Sequence, residues 1–256
     1  MLEDPQNLFL VQLIVVATCI GMGAFVQGSI GFGFGIVALA LMGLLLDTKD
    51  ATIMIAPAGL ALNASLVWRL RKHFSFRRIK PVLLGVVVGA PVGVAVLVAA
   101  GTSFDKSLLR LLLGVVLVVA VVQGSIRRLD RHRWHPWFLG LPCGFFSGFL
   151  TGVLGTGGPP LVAYVQAQRF DRLHYAAAVQ VLLGVAALIR MEELTRQGAF
   201  TGDLLIIAGV GVVMAWIGST YGLRLLHKLP ETYLRRIVAL FLLLMGVLNI
   251  ARYLFS

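Results

Sequence analysis

Apolar residues run along the chain in long blocks separated by short polar stretches. The blocks are 8–46, 51–68, 81–100, 107–126, 137–167, 175–189, 203–223 and 237–255. Most approach the ~20 residues that one helix needs to cross a hydrocarbon core of about 30 Å. The first block holds 39 residues. As one helix it would be roughly 58 Å long, about twice the core. It must break, and the place is Gly28-Ser-Ile-Gly-Phe-Gly-Phe-Gly35, because glycine is costly inside a helix and permissive elsewhere. Block 137–167 carries the same interruption at Gly152-Val-Leu-Gly-Thr-Gly-Gly-Pro-Pro160. Two geometries suit each break: two short spans, or a hairpin of two half-helices meeting inside the membrane. The helix after each break is expected to start near Gly35 or Pro159, proline being well tolerated in a first helical turn.

The two breaks match at a constant offset. Gly28, Gly31 and Gly33 fall on Gly152, Gly155 and Gly157, 124 residues on. The same offset carries Cys19 to Cys143, Phe25 to Phe149, Phe76 to Phe200 and Gly85 to Gly209. One added residue then brings Leu109-Arg110 onto Leu234-Arg235. The pattern predicts an internal duplication: a first transmembrane repeat over 1–126, a linker over 127–136, and a second repeat over 137–256. The fold class is an all-α polytopic membrane protein with about eight or more membrane segments. Each repeat is a broken-helix hairpin followed by three transmembrane helices. If each broken segment enters and leaves on one side, three further spans make an odd number and the repeats are inverted.

Composition agrees. The chain is 59% hydrophobic and 13% charged, about half the charged share of a soluble domain. The net charge of +11 raises nucleic acid as a partner, but placement argues against it, since Lys and Arg lie in short loops without a basic helix face. Loops 69–80, 127–133, 169–174 and 224–236 hold 16 of the 22 Lys and Arg. The positive-inside rule puts those loops and the linker in the cytoplasm and both termini outside it, in a multi-pass protein of the cytoplasmic membrane. Counting each break as two crossings gives the same sidedness. The start carries Glu3 and Asp4 and no basic residue, so the first apolar block is expected to remain in the mature chain. Cys19 and Cys143 lie in apolar blocks and suggest packing rather than a disulfide.

Paired breaks in two inverted repeats point to a transport site between them, because irregular backbone is tolerated at membrane depth only inside protein or beside a watery cavity. Helix N-termini at the breaks would present N–H groups and positive dipole ends, which favour a small anion. The sequence shows no Asp, Glu, Lys or Arg near the middle of any apolar block. A cation site would ordinarily need a buried carboxylate, whereas an anion can be held by neutral dipoles. The candidate substrate-binding residues are Gln27, Gly31, Phe32 and Gly33 at the first break, and Gly155, Thr156, Gly157 and Gly158 at the second. Asn63 and Gln180, each within the block after a break, complete the set. Interhelical hydrogen bonding explains a buried amide equally well. Ser29 and Thr151 are further possible donors. His174, beside Asp171, is a weaker candidate for gating. Glycines in 81–100 and 203–223 suit close helix packing, within one chain or in a homodimer.

No enzyme signature is present. Gly31-Phe32-Gly33 follows no strand of a βαβ unit, no P-loop occurs, and no His/Cys spacing suggests a metal, so neither a cofactor nor a metal is expected.

With the residues set out, the chain resembles the sulfite exporter TauE/SafE family, also called the toluenesulfonate uptake permease family. The resemblance rests on the glycine-rich stretch Gly28–Gly35 and on Gly144-Phe-Phe-Ser-Gly-Phe-Leu-Thr-Gly-Val-Leu-Gly-Thr-Gly-Gly-Pro-Pro160. The basic loop before Phe76 and the closing Leu-Leu-Arg and Leu-Arg-Arg helices also match. The first copy departs from the second, with Phe34 and Gly35 where the second has Gly158 and Pro159. The resemblance implies a permease for a small sulfur-containing anion such as sulfite, a sulfonate, sulfoacetate or thiosulfate. The leading expectation is therefore a secondary transporter with alternating access about the paired breaks. The alternatives are a membrane accessory or scaffold protein that transports nothing, and a permease for a non-sulfur organic anion.

Overall fold

The computed structural model describes residues 5–43, 45–74, 76–99, 111–119, 136–168, 172–200, 202–226, 239–240, 243–249 and 251. Among them there is helix, turn and bend but no strand. The helices are α1 (Pro5–Ile30), α2 (Phe34–Met42), α3 (Thr48–Leu70), α4 (Phe76–Ala99), α5 (Pro136–Leu154), α6 (Gly158–Ala167), α7 (Arg172–Arg196) and α8 (Gly202–Leu226). A 3-10 turn, Arg71–His73, follows α3. Residues 111–119 and 243–249 are helical too. Five helices are long and apolar enough to cross a membrane: Val11–Ile30, Thr48–His73, Ile79–Ala99, Leu173–Arg196 and Ile206–Arg224. The protein is a polytopic membrane protein. The turn at 101–106, nearly all of the linker at 127–136 and most of the loop at 224–236 lie outside the described residues, as do parts of the predicted spans 107–126 and 237–255.

Both long blocks break at the glycines and fold back. α2 has 9 residues and α6 has 10, or about 14–15 Å of helix, half of what a crossing needs. The Phe34 N–H reaches Gln27 Oε1 at 3.2 Å. Four residues further from the bend on each arm, the Ala38 Cβ lies 3.1 Å from where a methyl on Gly23 would stand. In the second hairpin Ser147 Oγ donates to the Gly157 carbonyl at 2.7 Å, and the Tyr164 ring lies 3.2 Å from where a methyl on Gly140 would stand. The chain turns at residues in backbone conformations that L side chains rarely adopt: Gly31 (φ 94), Gly33 (φ 111) and Gly155 (φ 71). Those three glycines serve the turn itself.

Small residues set the helix packing. Methyl groups on Gly85, Gly89 or Gly93 of α4 would run into the backbone of α5 around Leu141, Phe145 and Phe149. The reverse holds for Gly144, Gly148 and Gly152 against Val82, Val86 and Ala90. The glycine face of α4 is thus consumed inside the chain. Likewise Gly218 and Gly222 of α8 close on the carbonyls of Gly21 and Phe25 in α1. The pairs α4–α5 and α8–α1 map onto one another under the 124-residue offset, as do α3–α8 and α7–α4, all of which are packed pairs. The equivalent helices α3 and α7 pack antiparallel: Thr52 meets Arg190, while Asn63 and Val67 meet Gly184.

Two stretches differ from expectation. Residues 76–80 of the predicted loop 69–80 are helical, as the start of α4. Residues 190–198 were expected to be a mixed-charge loop after a short span ending at Ile189. Instead α7 continues to Arg196. The last turns follow helical spacing: Leu183, Ala186, Arg190 and Leu194 form one buried face. Arg196 reaches Glu192 at 2.6 Å on the exposed side.

Candidate functional site

The two hairpin tips meet. A methyl on Gly35 would collide with the Gly155 carbonyl and come within 3.3 Å of Thr156 Cγ2. The Phe32 ring lies 3.3 Å from where a methyl on Gly158 would stand. Beside this junction lies a cavity of ≈ 40 Å³, walled by both tips and by α3 and α7.

Seven of the ten predicted residues line it: Gln27, Gly33, Asn63, Gly155, Thr156, Gly157 and Gly158. Gly31, Phe32 and Gln180 stand just outside. Gly31 offers its carbonyl to Gln180, and Phe32 packs on Gly158. Thr151, the 124-residue counterpart of Gln27, also lines the cavity. Ser29 does not. Its hydroxyl is 2.8 Å from the Phe25 carbonyl and 3.1 Å from that of Gly222, so it serves the α1–α8 contact.

The three predicted amides form one buried network. Gln27 Nε2 donates to Asn63 Oδ1 at 2.8 Å and to Gln180 Oε1 at 3.1 Å. Gln27 Oε1 accepts from the Phe34 N–H at 3.2 Å. Gln180 Nε2 donates to the Gly31 carbonyl at 2.6 Å, and Asn63 Nδ2 to the Gly59 carbonyl at 2.8 Å. Every amide uses both its donor and its acceptor, as burial requires. The network ties α1, α3 and α7 together and reaches from the first hairpin into the second half.

The half-helix N-termini offer fewer N–H groups than expected. Phe34 N–H is taken by Gln27. In α6, Pro159 and Pro160 occupy two of the first four positions and have no N–H to give. Side chains supply further donors. Thr156 is 2% exposed, and its hydroxyl oxygen has no hydrogen-bond partner.

The hydropathy pattern hid one residue of this site. Arg190, on the continued α7, is 3% exposed and lines the cavity. Its Nη2 donates to the Thr52 carbonyl at 2.6 Å, and its Nε has no partner. Its Nη1 lies over Gly155, close enough that a methyl there would strike it. Among the described residues no other charged side chain is buried, and no carboxylate pairs with Arg190. The expectation of a charge-free interior is corrected accordingly. A helical reading of 183, 186, 190 and 194 would have revealed it.

The cavity therefore has two chemically different ends. Thr52 and Asn63 are about 16 Å apart along α3, and Gln180 and Arg190 about 15 Å apart along α7. The amide network lies toward the basic segment Arg69–Lys80. The guanidinium marks the end toward the start of α3.

A polytopic helical membrane protein, with a buried cation and hydroxyl beside two broken-helix tips, has the make-up of a membrane transporter for an anion rather than of an enzyme. The profile of the Sulfite exporter TauE/SafE family matches residues 15–248, and the chain belongs to that family of transporters. A curated relative, the probable sulfite/organosulfonate exporter TauE of Cupriavidus necator, is 24% identical over 234 residues, covering 89% of this chain and 90% of its own. No solved structure matches the chain.

Proposed function

We propose that the protein is a secondary transporter for a small sulfur-containing anion, with sulfite the best-fitting cargo, and that the cavity between the hairpin tips is its binding site. The carrying observation is the meeting of both glycine breaks at one cavity lined by hydroxyl, amide and guanidinium groups. The relative's printed name, sulfite/organosulfonate exporter, supports a sulfur anion. Size narrows the choice in this conformation. One water needs about 10–15 Å³ of such space. A cavity of ≈ 40 Å³ thus takes a few water-sized groups, the bulk of a compact oxyanion and not of an aromatic sulfonate.

The two halves, 1–126 and 137–256, act as inverted repeats in this reading. The antiparallel packing of α3 on α7 and the offset-related helix pairs support it. The halves rock about the site. The network of Gln27, Asn63 and Gln180 closes the cytoplasmic end and must open to admit the anion. Gly31 and Phe32 hold the tip in place, and Gly33, Gly155, Gly157 and Gly158 line the cavity. The protein lies in the cytoplasmic membrane with the basic loops inside. An inside-negative potential favours anion export by about 2.3 kcal/mol per charge per 100 mV.

Flux into proteoliposomes of sulfite, against sulfate, an aromatic sulfonate and a carboxylate, tests the reading. Saturable sulfite flux that is selective over the carboxylate is expected. A protein that moves none of them is an accessory protein, and one that prefers the carboxylate is a permease for organic acids. Either result overturns the proposal.

A further inference from the structure

Arg190 has no counterpart in the first half. The 124-residue offset places Leu66 opposite it, a buried apolar residue. A fixed charge thus stands on one of the two offset-related helices and not on the other. A guanidinium held out of water without a carboxylate is destabilising. Arg190 makes one hydrogen bond to a neutral carbonyl. Such a bond compensates a charge only in part, and five N–H donors are available. The Nε and the Thr156 hydroxyl are both more than nine-tenths buried, without partners, and at the same cavity. Thr52, whose carbonyl Arg190 holds, has an unpartnered buried hydroxyl as well.

We propose that Arg190 is the counter-charge of the transported anion, binding it together with the Thr156 hydroxyl. The inference rests on the transport reading above and adds to it the residue that sets cargo charge and the end of the cavity where the anion sits. A planar guanidinium presents parallel N–H groups spaced for two oxygens of one oxyanion. Its remaining donors keep the side chain anchored on α3 through Thr52. The bound anion removes the uncompensated charge, so the occupied state is more stable than the empty one. The cation repels other cations from the same space. The amides Gln27 and Asn63 on the cavity wall carry no charge.

The test uses the full-length protein, with sulfite as the probe and chloride as the ionic-strength control. Two readouts are compared: thermal unfolding in detergent with and without sulfite, and proteoliposome flux. For Arg190→Gln, sulfite no longer raises Tm and KM rises about tenfold to a hundredfold, the range for losing a hydrogen bond to a charged group. Arg190→Lys keeps the charge and loses the fork, and recovers part of both effects. Thr156→Val leaves the cation in place and raises KM by a smaller factor. This variant decides the matter if Arg190→Gln does not fold. Wild-type-like sulfite protection and KM in Arg190→Gln, or in Thr156→Val should that be the folded variant, overturn the inference while wild-type flux upholds the transport reading. Absence of sulfite flux and of sulfite protection in the wild type overturns both. An unchanged KM with lowered Tm in Arg190→Gln assigns the residue to helix anchoring alone and also overturns the inference.

Discussion

Gly155→Ala is the sharpest single perturbation of the tip junction. Gly155 has φ +71, where an L side chain costs roughly 1–2 kcal/mol. The new methyl would also stand 3.3 Å from Arg190 Cζ and 3.2 Å from Ile55 Cδ1, and closer still to the guanidinium Nη1. Arg190 is pinned by its 2.6 Å bond to Thr52 and walled in by the protein, so it cannot swing into solvent. Displacing it forfeits a charged hydrogen bond worth roughly 1.5–3 kcal/mol. The expected total is about 2.5–5 kcal/mol from these two terms. Gly31→Ala is the matched control. Gly31 has φ +94 and nothing within 4 Å of an added methyl, so it carries only the backbone strain. At roughly 2–4 °C per kcal/mol for a chain of this size, Gly155→Ala should unfold several degrees below Gly31→Ala. Thermal unfolding of both variants in one detergent reads the difference directly. Equal Tm values would refute the claim that a fixed guanidinium occupies the space over Gly155.

Other expectations follow from the same geometry. Gln27→Leu strands the Phe34 N–H and the acceptors on Asn63 and Gln180, at about 1–3 kcal/mol for each group left unsatisfied, so Tm and sulfite flux should both fall. Gly85→Ala drives a methyl into the α5 backbone and should destabilise. Its 124-residue counterpart Gly209→Ala has nothing near it and should hold or raise Tm by helix propensity, so equal effects would contradict the packing described. Cysteines introduced at Lys49 and Lys80 should label with a membrane-impermeant thiol reagent from opposite sides, Lys49→Cys from outside intact cells. Labelling of both from one side would contradict the proposed topology.

Much of the fold was legible because its signals are local. A block of 39 residues cannot be one helix, and the glycines that repeat at a fixed offset mark where it turns. Gln27, Asn63 and Gln180 stood out as amides in apolar surroundings, and burial made them find one another. What was hidden depends on neighbours distant in sequence. Arg190 lies where the apolar window ends, so hydropathy alone assigned it to a loop. Only the helical spacing back to Leu183 and forward to Leu194, with Thr52 facing it from α3, turns it inward. The prolines of α6 mark a helix start and at the same time remove two of its N–H groups. The glycine face of α4 carried no label of its partner, which is α5 of the other half.

The most direct test of the central claim is radiolabelled sulfite flux through Gly157→Leu beside the wild type in the same proteoliposomes. Gly157 lines the cavity, and a side chain there would strike Thr151 and Ser147 at the tip. Saturable flux in the wild type and its loss in a variant that still inserts and folds is the predicted result. Undiminished flux in that variant would contradict a transport site at the hairpin tips.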